Sequence, residues 1–62
     1  MNVLTIKEVS ARTSLSARTI YRMIDKGTIG LDDTFLVGNI RKKRVITEQW
    51  VEDFINKHRT YN

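Results

Sequence analysis

The sequence predicts a mainly α fold with one small β-hairpin, and three observations carry that prediction. Two short amphipathic segments, about residues 6–13 and 16–26, are separated by a brief polar turn. Two β-prone runs, Thr34–Val37 and Arg44–Ile46, flank a glycine and a run of cations. A third apolar-periodic segment, about 48–59, carries the one tryptophan of the chain.

The elements follow in order. Met1-Asn2 is expected to fray. Thr5-Ile6-Lys7-Glu8 matches a capping box, with Thr5 as N-cap, Glu8 at N3, and Leu4 placed to staple onto Val9. The inner face of this first helix is Ile6, Val9, Ser10 and Thr13, polar for a core helix. Ser14-Leu15-Ser16 is the break: Leu15 is expected to be buried in the turn, and Ser16 caps the second helix. Gly27 stands where a C′ glycine ends a helix. Two helices of about eight and ten residues with so short a break have helix-turn-helix spacing.

At about 100° per residue, Ala17, Ile20, Tyr21 and Ile24 share one arc, the expected buried stripe. Arg18, Thr19, Arg22, Met23 and Lys26 fall opposite, with Asp25 on the flank. Residues 28–33 read as a loop. In the hairpin, Gly38-Asn39 allows a two-residue type II′ turn, whereas pairing Phe35–Val37 with Arg44–Ile46 leaves a longer basic loop; either register projects cations. Thr47 caps the last helix, whose stripe is Trp50, Val51, Phe54 and Ile55. Trp50 and Phe54 are expected to be its heaviest core residues. Its acids Glu48, Glu52 and Asp53 come early and its bases Lys57, His58 and Arg59 late, the order that complements the helix dipole.

Composition narrows the function classes. A chain of 62 residues is expected to be a single domain, 1–62, burying only about 60% of its unfolded surface, with little room for an enclosed substrate pocket. Eleven Lys+Arg against seven Asp+Glu gives a net charge of +4, which favours a polyanionic partner. The absence of cysteine excludes disulfides, thiolate catalysis and cysteine-ligated zinc. His58 has no second histidine beside it, and Asp32-Asp33 has no histidine near it in sequence, so neither a metal site nor a catalytic dyad is expected. No phosphate-binding glycine loop or nucleophile motif occurs. An enzyme, a cofactor and a small-molecule ligand are all unexpected. With neither a signal peptide nor a spanning apolar run, the expected location is the cytoplasm.

Two surfaces remain as functional candidates. The plainer reading of Ser16, Arg18, Thr19, Arg22 and Lys26 is a solvated helix face. Their setting, between a short turn and a basic hairpin, favours insertion in a DNA groove. Arg18 or Arg22 can donate two hydrogen bonds to guanine O6 and N7, while Ser16, Thr19 and the helix N-terminal amides suit phosphate oxygens. Tyr21 has two readings, a hydroxyl reaching a phosphate or a core ring with a solvated hydroxyl. In the hairpin, Arg41-Lys42-Lys43-Arg44 can serve only solubility or guard a strand edge. Beside a helix-turn-helix, Asn39, Arg41, Lys42 and Lys43 are placed to reach the neighbouring groove or its phosphates. Pleating forbids all the cations from doing so together.

Leu4-Thr5-Ile6-Lys7-Glu8, then Leu15-Ser16, Arg18-Thr19-Ile20-Tyr21-Arg22, Gly27, the basic hairpin and Thr47–Ile55 resemble the excisionase-type, AlpA-like branch of the MerR-like winged-helix superfamily. The likeness covers about residues 3–56. It implies a winged helix-turn-helix, with the helix from Ser16 in the major groove and the wing, about 34–46, at the adjacent minor groove. It further implies a bacterial or phage-encoded protein, nucleoid-associated in use, that binds double-stranded DNA at attachment sites and bends it. A tyrosine integrase and cooperative self-association on DNA are the implied partners. A small transcriptional regulator of a mobile element, and more distantly a protein-interaction module such as an antirepressor, are the alternatives. Ser10, Thr13 and Ser14 depart from the usual alanine, leucine and glycine, and residues 28–34 are longer than the usual link to the wing.

Overall fold

Thr5 ends the first strand and, through its hydroxyl, opens the first helix, and the fold grows from that corner. In the computed structural model, which describes residues 2–58, the elements are β1 (Val3–Thr5), α1 (Ile6–Thr13), α2 (Ala17–Asp25), β2 (Thr34–Val37), β3 (Lys43–Thr47) and α3 (Glu48–Lys57). Three helices and a small antiparallel sheet make a winged helix-turn-helix fold. The expected residues Met1, Arg59 and the tail 60–62 lie outside the described residues.

The sheet holds one strand more than the expected hairpin. Its order is β1-β3-β2, with β1 pairing β3 as Val3↔Thr47, Leu4↔Ile46 and Thr5↔Val45. Three residues are too few to show a β period. Their strand state comes from β3, which offers an otherwise open edge, and from burial of Leu4 against Ile46. The hairpin has a longer loop, but its ladder is one residue off the expected pairing: Thr34↔Ile46 through Val37↔Lys43 set Phe35–Val37 against Lys43–Val45, so the tip is residues 38–42 rather than a two-residue turn.

The capping box is present as expected. The Glu8 amide donates to Thr5 Oγ1 at 3.2 Å, and the Thr5 amide to Glu8 Oε1 at 2.9 Å. The three departures at the end of α1 explain one another. Thr13 Oγ1 donates to the Val9 carbonyl at 2.7 Å and accepts from the Leu15 amide at 3.3 Å, while Ser10 Oγ donates to the Leu15 carbonyl. Ser14 adopts the left-handed conformation at φ 63°, where glycine is usual. Side-chain hydroxyls thus fasten a turn that an apolar sequence would hold by packing.

At the other end of α2, Gly27 (φ 80°) donates to the Ile24 carbonyl at 3.1 Å and Thr28 to Met23 at 2.9 Å, the pattern of a Schellman turn. That reversal sends Ile29 into the core, where it is 1% exposed. The expectation of a plain loop over 28–33 missed this residue. The Asp32-Asp33 pair was expected to be merely solvated, yet Asp33 Oδ1 accepts from Thr47 Oγ1 at 3.0 Å and its carbonyl from the Thr47 amide at 2.9 Å. Asp33 therefore anchors the entry to β2 against the start of α3.

The core is Leu4, Val9, Ile20, Ile29, Ile46 and Val51. Trp50 and Phe54 are half-buried, not its centre as expected. A core this thin encloses branched aliphatics but not two large rings on one helix. The rings stack instead, with centroids 5.2 Å apart, and His58 stacks on Phe54 at 4.1 Å. The His58 Nδ1 also lies 2.9 Å from the Phe54 carbonyl, so it tends the C-terminus of α3 as the sequence implied.

Candidate nucleic-acid interface

α2 is oriented by what lies beneath it. Ile20 is fully buried, and Met23 and Ile24 pack against the core beside it. This corrects the expected stripe: Met23 turns inward, whereas Ala17 and Tyr21 face solvent, Tyr21 being 48% exposed. The Schellman turn, anchored on the Met23 carbonyl, and the buried Ile29 behind it roll the helix to that side. The outward face accordingly gathers Arg18, Tyr21, Arg22 and Lys26, all exposed, together with Asp25.

The N-terminus of this helix is locally built. Ser16 Oγ accepts from the Thr19 amide at 3.1 Å and donates to Thr19 Oγ1 at 3.0 Å. The Ser16 hydroxyl is thus committed to the cap, whereas Thr19 Oγ1 only accepts there and, half exposed, keeps its own hydrogen to donate. Arg18 and Arg22 stand one turn apart, and among the described residues neither guanidinium forms an ion pair. Among the described residues the one ion pair is Arg12–Glu48, at 3.3 Å. The cations of α2 and of the wing are therefore available to an external anion.

The wing brings its own cations to the same neighbourhood. Asn39, Arg41, Lys42 and Lys43 are exposed, and Arg44 is half-buried. A shallow cleft is lined by Thr5, Ile6, Lys7, Tyr21, Lys42, Lys43 and Arg44, joining α1, α2 and β3. Alternation along β3 places Arg44 on the face of the sheet shared with Ile46, whose neighbour across the ladder is Leu4. Sequence reasoning missed Lys7 as a member of this surface, and left Arg44, the last residue of the basic run it singled out, off the expected contact set. Only the contact of α1 with the sheet brings Lys7 there, and no local signal carries that. The acids collect elsewhere: Asp32, Asp33, Glu48 and Glu52 line a separate cleft around the start of α3.

An exposed helix face with three cations against the single acid Asp25, next to a basic hairpin, is the surface of a DNA-binding module. A family model described as a helix-turn-helix domain matches residues 3–59, and the chain belongs to that family. No curated protein and no solved structure matches it. Membership supports sequence-specific DNA binding by the chain. Among the described residues no helix is long and apolar enough to cross a membrane.

Proposed function

We propose that this chain is an excisionase-like recombination directionality factor, which binds double-stranded DNA at attachment sites and bends it to promote excision by a tyrosine integrase. The observation that carries the DNA half of this reading is the basic cleft in which Tyr21 of the α2 face meets Lys7, Lys42, Lys43 and Arg44. The recombination half rests on the likeness of the Leu4–Glu8 and Leu15–Arg22 segments to excisionase-type, MerR-like winged helices. Arg18 and Arg22 are the proposed base readers. Thr19, Lys26 and Tyr21 position the helix on phosphates, Ser16 contributes there through its backbone amide and the cap it forms, and Asn39, Arg41, Lys42 and Lys43 hold the neighbouring groove. A single module of this kind buries about 600–1,000 Å² of protein surface on DNA. Cooperative occupancy of adjacent sites is the remedy we propose for so small an area.

Salt titration tests the electrostatic core of the proposal. Log K should fall with log salt at roughly −0.9 per phosphate neutralised; a flat titration points instead to a protein-interaction module. Stimulated excision of an attachment-site substrate by an integrase supports the recombination role, and promoter occupancy without integrase dependence replaces it with transcriptional regulation.

A further inference from the structure

The most exposed large apolar side chain among the described residues is Ile40, 95% exposed at the tip of the wing. It has no packing role there. Its neighbours in the loop 38–42 are Gly38, Asn39, Arg41 and Lys42, with Lys43 next along the chain and no carboxylate among them. A single exposed apolar side chain is ordinary on a protein surface, as Leu31 at 87% exposed shows; Ile40 differs in standing at the tip of a cationic loop, where its burial against a partner would be favourable. The loop also bends sharply at its start. Gly38 has φ 114°, and a Cβ at that position would collide with the Arg41 carbonyl oxygen. The chain therefore folds back tightly after Gly38, and Ile40 is the middle residue of the loop between the last ladder pair, Val37↔Lys43.

We propose that Ile40 is an apolar wedge, which enters the minor groove ahead of the flanking cations and partly unstacks a base step. The occupant is DNA because the surround is cationic: Arg41, Lys42 and Lys43 would neutralise the phosphates on either side of the groove, while Ile40 meets the apolar sugar walls and base edges. Apolar wedges of this type kink duplexes by about 20–90° toward the major groove. A pyrimidine–purine step beneath the wing would be the easiest to open. The inference rests on the DNA-binding reading and adds to it a bending device located in one side chain.

The test uses the full chain and a duplex obtained by selection on the wild-type protein, with 2-aminopurine placed at successive positions and a fluorophore pair at the ends. Wild type should raise 2-aminopurine emission at one step and shorten the end-to-end distance. Ile40→Ala should lose most of both signals and bind roughly three- to ten-fold more weakly, with an unchanged salt slope. Ile40→Leu should restore both signals. Because the side chain is almost fully exposed, these variants leave the fold intact. If Ile40→Ala binds with the wild-type bend and emission, the wedge is overturned while DNA binding stands. If Ile40→Ala changes only the cooperativity between adjacent sites, Ile40 is a protein contact and the wedge is likewise overturned. If selection enriches no duplex, the DNA-binding reading falls and takes the wedge with it.

Discussion

α1 and α2 are similar in length and both begin at a hydroxyl cap, yet they are stabilised in opposite ways. α1 has a reciprocal capping box and an acid, Glu8, in its first turn. α2 has a one-way cap, from Ser16, and no acid in its first turn; it carries Arg18 at the second helical position instead. A cation there opposes the helix dipole by about 0.3–1 kcal/mol at an exposed site. α1 is thus satisfied by its own local sequence. α2 keeps an unfavourable charge arrangement that becomes favourable when an anion docks at its N-terminus. Local consistency marks the supporting helix, and local conflict marks the binding one.

The largest effect is expected where α2 depends on the rest of the fold. Ile20 is fully buried, and Ile20→Ala should destabilise the protein by about 2–5 kcal/mol, removing a methyl-rich anchor from a thin core. In a chain this short, such a loss should leave much of the population unfolded, which far-ultraviolet circular dichroism in a urea series will show. A small effect would mean that α2 is held by its cap after all, and the contrast with α1 would collapse.

Next come the substitutions that separate reading from positioning. Arg22→Ala should relax base preference at one position by about 1–3 kcal/mol, whereas Lys42→Ala should weaken all sequences alike and reduce the salt slope by about one unit. Selection experiments on the two variants measure this directly. An unchanged preference in Arg22→Ala would remove that residue from the reading face. Arg18→Glu sharpens the comparison further. It should raise the melting temperature of the free protein, by an amount corresponding to about 0.3–1 kcal/mol, and abolish DNA binding. A fall in stability would show that Arg18 packs rather than protrudes.

What was legible in the sequence follows the same division. Caps at Thr5, Ser16 and Thr47, the stop at Gly27 and the wing strands are local chemistry, and all are found at or within a residue of where the sequence put them. The β1 strand, the burial of Ile29 and the membership of Lys7 in the basic cleft depend on partners far along the chain. The roll of α2 was misread for a subtler reason. Tyr21 and Met23 are each apolar enough to face inward, and the wheel alone favoured the tyrosine. The choice is made by the turn after Lys26, whose amides bond the Met23 carbonyl and bring Ile29 beneath that side of the helix. The proposed contacts of Ser16, Arg18, Thr19, Arg22 and Lys26 with DNA remain the part that mutation must decide.

The smallest expected effect concerns the satisfied helix. The Glu8 carboxyl is held below the usual carboxylate range, chiefly by the Thr5 backbone amide, then by the Thr5 hydroxyl, with a lesser contribution from Arg12. Since its proton affinity is lower in the folded chain than in the unfolded one, the unfolded state takes up the proton first as pH falls. Stability from this group is therefore complete above the ordinary carboxylate pKa and is lost as pH drops through the lowered one. A melting-temperature series taken down through that range should show a decline that is shallower in Glu8→Gln, whose neutral amide keeps an acceptor for the Thr5 amide but has no proton to bind. Because Glu8 is fully exposed, solvent screening keeps the difference small. DNA affinity of Glu8→Gln at neutral pH should match wild type, since the residue is absent from the basic cleft. If affinity fell with it, the division of labour between a self-sufficient α1 and a reading α2 would have to be redrawn with the interface extended along α1 past Ile6 and Lys7.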